Sequence, residues 1–206
     1  RSYSPMLLNI GSATDAYQPA ERKLGITRQV IEVCNEFRHP FSLITKNALV
    51  ERDMDLLAPL AEQQLVSVHF SVTSLDPHLS AKLEPRASAP QARLAAIRAL
   101  SGAGIPVMAM ISPVIPGLTD HELEHLLAAA RDAGAVAASY SVLRLPHELH
   151  GLFEITPQYS GMVRAKSSVP ISRARLIMCS LSCEISGRRI SVSETLSIKR
   201  RLVSVW

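Results

Sequence analysis

Short apolar runs alternate along the chain with longer amphipathic segments. The runs predict five strands, at MLLNIG (6–11), FSLIT (41–45), VSVHFSVT (66–73), PVMAMIS (106–112) and VAASYSVLRL (136–145). Apolar residues at helical spacing predict four helices between them, at 22–37, 53–64, 89–104 and 119–135. Asp53 and Thr119 are well placed as N-caps of the second and the fourth helix.

The strands lack a clean alternation of apolar and polar residues, which is typical of a parallel sheet covered by helices. The chain is therefore predicted to be an α/β protein. Both an open doubly wound sheet and a barrel of βα units fit this order of elements. In either architecture the ligand site lies at the C-terminal ends of the strands, because the βα loops converge there.

Polar segments follow all five predicted strands: GSATDAYQP, TKNALVERD, SVTSLDP, SPVIPGLTD and LRLPHE. Ser, Thr, Asp and Pro also form ordinary turns and caps, so a single loop of this kind carries little weight. Five of them on one rim favour a ligand site. The sequence contains no G-x-G-x-x-G, Walker or H-E-x-x-H motif, so nucleotide hydrolysis and zinc proteolysis have no support.

Composition predicts an aliphatic core and no membrane span. Hydrophobic residues make up 47% of the 206 residues and aromatic residues only 4%. No apolar run approaches the roughly 18 residues that a membrane-spanning helix needs. The first residues do not follow the order of a signal peptide, so we expect a cytoplasmic protein.

The formal net charge of +4 is divided unevenly along the chain. Residues 1–154 carry 13 Lys and Arg against 16 Asp and Glu, whereas residues 155–206 carry nine against two and contain 11 serines. We predict a βα portion at 1–154 and a Ser- and Arg-rich tail of uncertain or no fold at 155–206. An adventitious end, such as translation past a frame shift, is the favoured interpretation of the tail, with a basic arm as the alternative.

Taken together, four segments resemble the radical S-adenosylmethionine (radical SAM) enzymes, in particular the subgroup related to spore photoproduct lyase. The segments are NIGSATDAYQPAERKLGITRQVIEV, LITKNALVERDMDLLAPLA, VSVHFSVTSLDPHLSAKLEPRASAPQARLAAIRAL and PVIPGLTDHELEHLLAAARDAGA. The resemblance covers roughly residues 5–154, and its specificity comes from the order and separation of the loops. It implies a partial (β/α)6 TIM-like barrel of parallel strands, with the cofactor across the strand ends.

In that family, three cysteines of a C-x3-C-x2-C loop after the first strand hold a [4Fe-4S] cluster. The cluster binds S-adenosylmethionine and cleaves it to a 5′-deoxyadenosyl radical. The resemblance implies that the first strand and this loop lie upstream of Arg1. It therefore implies an enzyme for the full-length parent, while a fragment without the cluster cysteines would be unable to assemble the cluster.

The three cysteines of the chain do not reproduce the family motif. Cys179 and Cys183, in CSLSCEIS, lie beyond the last predicted strand, where a cluster loop is not expected. Cys34 lies in the middle of a predicted helix and is expected to be a small buried hydrophobic residue. No ligand for a metal is therefore assigned within this chain.

The resemblance places the loop after the first strand against the methionine end of S-adenosylmethionine. Small residues at 11–13, including Ser12, allow close approach of the backbone. Thr14, Asp15 and Tyr17 can bond the amino group of the cofactor or the substrate. The alternative for Asp15 is an ordinary Asx-type turn before the helix.

Residues after the second and third strands are assigned to the cofactor by the same resemblance. Lys46 would bind its carboxylate as a compact positive charge. Ser71, Thr73 and Ser74 are candidate partners for the carboxylate or the ribose hydroxyls. Strand alternation places Ser71 and Thr73 on one face and Ser74 beyond the end of the strand.

The remaining cofactor residues come from LEPRASAP and SPVIPG. Glu84 and Arg86 are expected to reach the ribose and the carboxylate, with a surface ion pair between the two as the alternative. Val114 and Ile115 mark a region whose backbone contacts adenine in family members.

The resemblance also implies a substrate side of the site and protein partners, and two other functions remain as alternatives. His147 and Glu148 are assigned to the substrate side of the site. The family implies an electron donor such as flavodoxin or ferredoxin. The lyase relatives act on DNA, but arginines without interleaved aromatic residues are weak support for DNA binding by this chain. The alternatives are a βα-barrel lyase or aldolase with Lys46 as a Schiff-base nucleophile, and a non-catalytic truncated remnant.

Overall fold

The computed structural model describes residues 5–115 and 117–143. Within them, five strands form one sheet: β1 (Leu8–Ile10), β2 (Phe41–Thr45), β3 (Val66–Ser71), β4 (Val107–Val114) and β5 (Ala137–Val142). The same residues form six α-helices: α1 (Glu21–Leu24), α2 (Ile26–Glu36), α3 (Met54–Glu62), α4 (Pro77–Leu83), α5 (Pro90–Gly102) and α6 (Leu123–Asp132). Short 3-10 helices at Ala48–Asp53 and Asp120–Glu122 precede α3 and α6.

The strands are all parallel and lie in the order β1-β2-β3-β4-β5. A doubly wound sheet would reverse its strand order at a switch point, whereas this sheet continues in one direction. Parallel strands joined by right-handed crossovers in one direction carry their helices on one face. The predicted α/β fold is confirmed, and its architecture is that of a partial TIM-like barrel whose sheet does not close within the described residues.

The core lies between the sheet and the helices and is aliphatic, as the composition predicts. Alternate strand residues are buried against apolar residues of four helices; the strand side is represented by Leu43, Val68, Phe70, Val107 and Ile111, and the helix side by Ile31, Leu57, Leu60, Ile97, Leu100 and Leu126. Cys34 is buried in the same cluster, which confirms the prediction for this residue.

The main departures from the predicted helices are one helix that is divided and one additional helix. The helix predicted at 22–37 is divided at Gly25, whose φ of 61° ends α1 and precedes α2. Helix α4 was not predicted, because its seven residues are too few to show a helical period. It begins at Pro77, and the carboxylate of Asp76 accepts a hydrogen bond from the amide of His78.

Asp53 occupies the N-cap position of α3, and Thr119 occupies that of the 3-10 helix before α6, but neither side chain makes the predicted capping bond, because both have other partners. Asp53 precedes α3 but makes no capping bond, since its buried carboxylate accepts bonds from arginine side chains, which are stronger donors than amides. Thr119 makes no capping bond either, and its Oγ1 accepts a hydrogen bond from the amide of Ile115 at 2.9 Å.

Parts of the expectations fall outside the described residues. These are the predicted tail at 155–206, the end of the last predicted strand, and the four residues His147, Glu148, Cys179 and Cys183. Among the described helices, none is both long and apolar enough to cross a membrane.

Gly11 is required where the loop after β1 crosses the end of β2. Its φ is +87°, and a Cβ at this position would collide with the carbonyl oxygen of Ile44. The close approach is therefore to the backbone of β2. Gly25 also has a positive φ, of +61°, but a Cβ there would meet nothing within 4 Å.

We expect Gly11→Ala to lower the free energy of unfolding by more than about 1 kcal/mol, because a clash adds to the strain of a positive φ. Gly25→Ala, the matched control, carries the strain without the clash and is expected to lose less. Urea denaturation of both variants measures the difference. Equal losses would show that the contact with Ile44 is unimportant.

Candidate functional site

A cavity of about 390 Å³ lies at the C-terminal ends of β1 and β2. Its walls come from the loop after β1, from residues 46–47 and from residues 83–87, which begin at the last residue of α4. This cavity, called the rim pocket below, brings together five of the predicted site residues: Asp15, Tyr17, Lys46, Glu84 and Arg86. Its volume lies within the range of small-molecule sites, and its position is the one that the fold favours for ligands.

Glu84 is the centre of charge in the rim pocket. Its Oε1 lies 2.7 Å from the Nζ of Lys46, and its Oε2 lies 2.7 Å from the Nη1 of Arg93. Thr73 donates a further hydrogen bond to Oε2 at 3.0 Å. Burial alone would raise the pKa of Glu84, but Arg93 and Lys46 outweigh burial and hold the pKa below its usual value.

Arg86 is exposed at the same pocket and has no hydrogen bond or ion pair within the described part of the chain. The alternative prediction of an ion pair between Glu84 and Arg86 is therefore wrong. The reason is that Lys46 and the buried Arg93 contact the carboxylate instead. The guanidinium of Arg86 can then offer its donors to an anionic ligand.

Asp15 fixes the loop after β1 to the end of β2. Its Oδ1 accepts hydrogen bonds from the amide of Tyr17 and from the hydroxyl of Thr45, both at 2.8 Å. Its Oδ2 accepts a hydrogen bond from the amide of Lys46 at 2.7 Å. The bond to Tyr17 is that of the Asx-type turn, and the bond to Lys46 sets the position from which the lysine side chain enters the pocket.

The Tyr17 side chain points into the interior. Its hydroxyl donates to Oδ2 of Asp53 at 2.9 Å, and the residue is only 1% exposed. Burial, followed by the charge of Asp53, raises the pKa of Tyr17 well above its usual value. Tyr17 therefore anchors the loop after β1. Its hydroxyl is bonded to a buried carboxylate and not directed at a ligand in the pocket.

Asp53 is a fully buried carboxylate that accepts hydrogen bonds from Arg28 and Arg52 as well as from Tyr17. Its Oδ1 lies 3.0 Å from the Nη1 of Arg28 and 2.8 Å from the Nε of Arg52. Burial raises the pKa of Asp53, but hydrogen bonds from Arg52, Arg28 and Tyr17 lower it further than burial raises it. The side chain of Arg52 also lies over the ring of Tyr17, at 6.0 Å from its centroid, and binds Glu21.

The three residues predicted after β3 lie behind the pocket wall. Ser71, Thr73 and Ser74 are 4%, 3% and 1% exposed. The carbonyl of Ser71 accepts a hydrogen bond from Arg93, while Thr73 donates to Glu84. The hydroxyl of Ser74 donates to Glu122, at 3.0 Å, and so ties this loop to the one after β4.

Four other predicted residues do not line the rim pocket. Ser12 and Thr14 are exposed on the loop after β1. Val114 and Ile115 are each 3% exposed at the end of β4, on the other side of β3. The structure thus divides the predicted set into a cluster around Lys46 and Glu84 and a second group along the same edge of the sheet.

Sequence reasoning missed Arg93, the buried partner of Glu84. Its signal was present, because Arg93 occupies the buried stripe of α5, followed at helical spacing by Ala96, Ile97 and Leu100. A charged residue at such a position needs a partner, since burial of an unpaired charge is costly. Arg28 and Arg52 gave no comparable signal in the sequence, because only the tertiary fold brings both of them to Asp53.

The described residues do not supply a metal site. Across 5–115 and 117–143, no group of three or more His, Cys, Asp or Glu residues could hold a metal ion. Cys34 is buried, and burial raises the pKa of its thiol, which disfavours the thiolate that an iron–sulfur cluster needs.

Comparisons with known proteins point to one family. The family model described as the radical SAM superfamily matches residues 8–130, a range that contains every residue lining the rim pocket. Uncharacterized proteins of Mycobacterium tuberculosis and Mycobacterium bovis are 33% identical over 179 residues, which cover 82% of this chain and 53% of each relative. The chain therefore spans about half the length of these curated relatives.

A shorter match is found with an uncharacterized protein of Methanocaldococcus jannaschii. It is 33% identical over 113 residues, which cover 55% of this chain and 42% of that protein.

We expect Asp53→Asn to lower the free energy of unfolding by about 2 kcal/mol, because charge-assisted bonds to a buried carboxylate are lost. Asp55→Asn is the matched control, since Asp55 also binds Arg28, at 2.6 Å, but its side chain is 57% exposed. Its substitution should cost much less. Denaturant titration of both variants measures this, and similar losses would contradict the role given to burial.

The lowered pKa of Asp53 also predicts that its contribution to the free energy of unfolding depends on pH. Because the pKa of Asp53 is lowered by folding, its charge stabilises the fold above the ordinary pKa of an aspartate, about 4. This contribution is lost as the pH falls through the folded-state value. The stability difference between the unsubstituted protein and Asp53→Asn should therefore narrow in acid, and a difference that widens there would contradict the assignment.

Proposed function

The chain belongs to the radical SAM superfamily, and we propose that its rim pocket binds S-adenosylmethionine as part of a longer radical SAM enzyme. The observation that carries the proposal is that Lys46 and Arg86 both line one cavity at the C-terminal edge of the sheet. Two cations at this position suit the carboxylate of an amino acid group. The cavity, of about 390 Å³, suits a ligand of this size.

The charge of the pocket supports a zwitterionic ligand. Lys46 and Arg86 provide two positive charges, while Glu84 and Asp15 provide two carboxylates that are already bonded within the protein. A carboxylate on the ligand would meet the cations. An amino group or a ribose hydroxyl can donate to Glu84, whose carboxylate oxygens retain lone pairs beside their present partners.

The residues of the chain would bind and orient the cofactor. When bound, S-adenosylmethionine supplies a sulfonium carbon–sulfur bond whose reductive cleavage starts radical chemistry. Asp15 holds the backbone of Lys46, and Glu84 holds its ammonium group, so the lysine meets the ligand already oriented. Such preorganisation reduces the entropy that binding costs.

The family typically uses a 4Fe-4S cluster together with S-adenosylmethionine, but the described residues do not fit a cluster. In the proposal the cluster ligands belong to parts of the longer protein outside these residues. An electron donor of the flavodoxin or ferredoxin type would serve as the reductant.

We further propose that the enzyme is a lyase of the subgroup related to spore photoproduct lyase. The support for this step is the resemblance of the four sequence segments alone. DNA is the substrate class that this subgroup would suggest.

We expect Lys46→Gln to weaken binding of S-adenosylmethionine by about 10- to 100-fold, because a charge-assisted hydrogen bond to its carboxylate is lost. Equilibrium dialysis of the chain with labelled S-adenosylmethionine measures the affinity. Lys82→Gln is the matched control, since Lys82 is exposed on α4 and does not line the pocket. Absence of saturable binding, or equal effects of the two substitutions, would contradict the proposed site.

A further inference from the structure

Arg93 is a buried arginine that joins four parts of the structure. It lies in the first turn of α5 and is 1% exposed. Its Nε donates to the carbonyl of Ser88 at 2.6 Å, and its Nη1 donates to the carbonyl of Ser71 at 3.1 Å. The same Nη1 lies 2.7 Å from Oε2 of Glu84, and Nη2 donates to the hydroxyl of Ser80 at 3.4 Å. Each nitrogen of the guanidinium therefore has a partner.

The contacts of Arg93 fall on both ends of one wall of the rim pocket. Residues 84–87 line the pocket, and Glu84 at the start of this segment and Ser88 just after it both bind Arg93. Within the segment, the amide of Ala87 donates to the carbonyl of Glu84 at 3.0 Å. Arg86 lies between the two fixed ends, so its position depends on how they are held.

The wall is also joined to the segment that carries Lys46. The amide of Ser88 donates to the carbonyl of Lys46 at 3.2 Å, and the amide of Ala48 donates to the Oγ of Ser88 at 2.9 Å. Arg93 therefore acts on Lys46 through two routes. One route is the side chain of Glu84, and the other is the backbone of Ser88.

We propose that Arg93 is a positioning residue of the rim pocket, which holds the wall at 84–88 in place and keeps the Glu84 carboxylate charged and paired with Lys46. Arg93 lies behind Glu84 and is not assigned a contact with the ligand. The inference rests on the proposed binding of S-adenosylmethionine, and it adds a residue that sets the geometry and charge of that site.

Arginine suits this role better than lysine. The planar guanidinium presents five donors in fixed directions, which allows it to bond one carboxylate and several carbonyls at once. The partners on Ser71, Ser88 and Glu84 use that arrangement. A lysine at the same position keeps the charge but cannot reproduce all of these bonds.

The effect of Arg93 on Glu84 gives a readout that a purely structural role would not produce. The charged groups that contact Glu84 are Arg93 and Lys46, and Arg86 and Asp15 line the same pocket. Without Arg93, burial would still raise the pKa of Glu84 and Lys46 would be the remaining contact to oppose it. Glu84 would then take up a proton at a higher pH than in the unsubstituted protein.

The test is the affinity for S-adenosylmethionine of Arg93→Gln, measured by equilibrium dialysis between about pH 5 and 7, just above the ordinary pKa of glutamate. We expect at least a tenfold weaker affinity, which falls further as the pH is lowered, while the affinity of the unsubstituted chain changes little. Arg93→Lys should restore the flat pH profile in part. The additional substitution Glu84→Gln should remove the pH dependence from Arg93→Gln.

The matched control is Arg98→Gln, since Arg98 is exposed on the same helix. It should leave both the affinity and its pH profile unchanged. An Arg93→Gln variant that is folded by circular dichroism and has the pH profile of the unsubstituted chain would overturn the proposal. If Arg93→Gln does not fold, Arg93→Lys carries the test: its affinity must be lower than that of the unsubstituted chain and must fall further as the pH is lowered. An affinity and a pH profile that coincide with, or exceed, those of the unsubstituted chain would overturn the proposal.

A second measurement separates this inference from the proposed function. If the unsubstituted chain does not bind S-adenosylmethionine, the proposed function fails, and the link between Arg93 and Glu84 is then read from unfolding. Charged Glu84 stabilises the fold above the ordinary pKa of glutamate, and this contribution is lost in acid. The stability gap between the unsubstituted chain and Arg93→Lys should narrow as the pH falls, and a gap independent of pH would overturn the link.

Discussion

The charge of Glu84, whose side chain is only 11% exposed, is the constraint on which the candidate site depends. A carboxylate that is removed from water stays ionised only when cations compensate for the lost hydration. Here the cations come from two distant parts of the chain, Lys46 after β2 and Arg93 in α5. Satisfying one charge therefore brings two loops and a helix to one edge of the sheet. The rim pocket is the space that these segments enclose.

Asp53, a fully buried carboxylate, fixes another wall of the same pocket. It holds the hydroxyl of Tyr17, and Tyr17 in turn anchors the loop after β1. Asp15, two residues earlier, ties that loop to the amide of Lys46. Both walls thus depend on carboxylates that are bonded by side chains from several elements. This arrangement explains how short loops can hold a polar cavity open at the end of an aliphatic core.

Much of the fold follows from local sequence pattern, whereas the partners of charged groups do not. The five strands and the helices that cover them were predicted because apolar spacing reflects burial directly. Lys46 and Asp15 were assigned to the same rim because both follow parallel strands. Asp53 was interpreted as a helix cap from its neighbours alone, and its arginine partners became evident only in three dimensions. The alternative interpretation, an ion pair between Glu84 and Arg86, failed for the same reason, since the cations that contact Glu84 lie 38 positions earlier and nine later.

The central claim is that the rim pocket is the site for S-adenosylmethionine. A crystal structure of the chain grown with this compound tests it most directly. The account predicts density for the ligand between the loop after β1 and residues 83–87, with its carboxylate at about 3 Å from the nitrogen atoms of Lys46 or Arg86. Ligand density elsewhere on the molecule, away from both residues, would contradict the account.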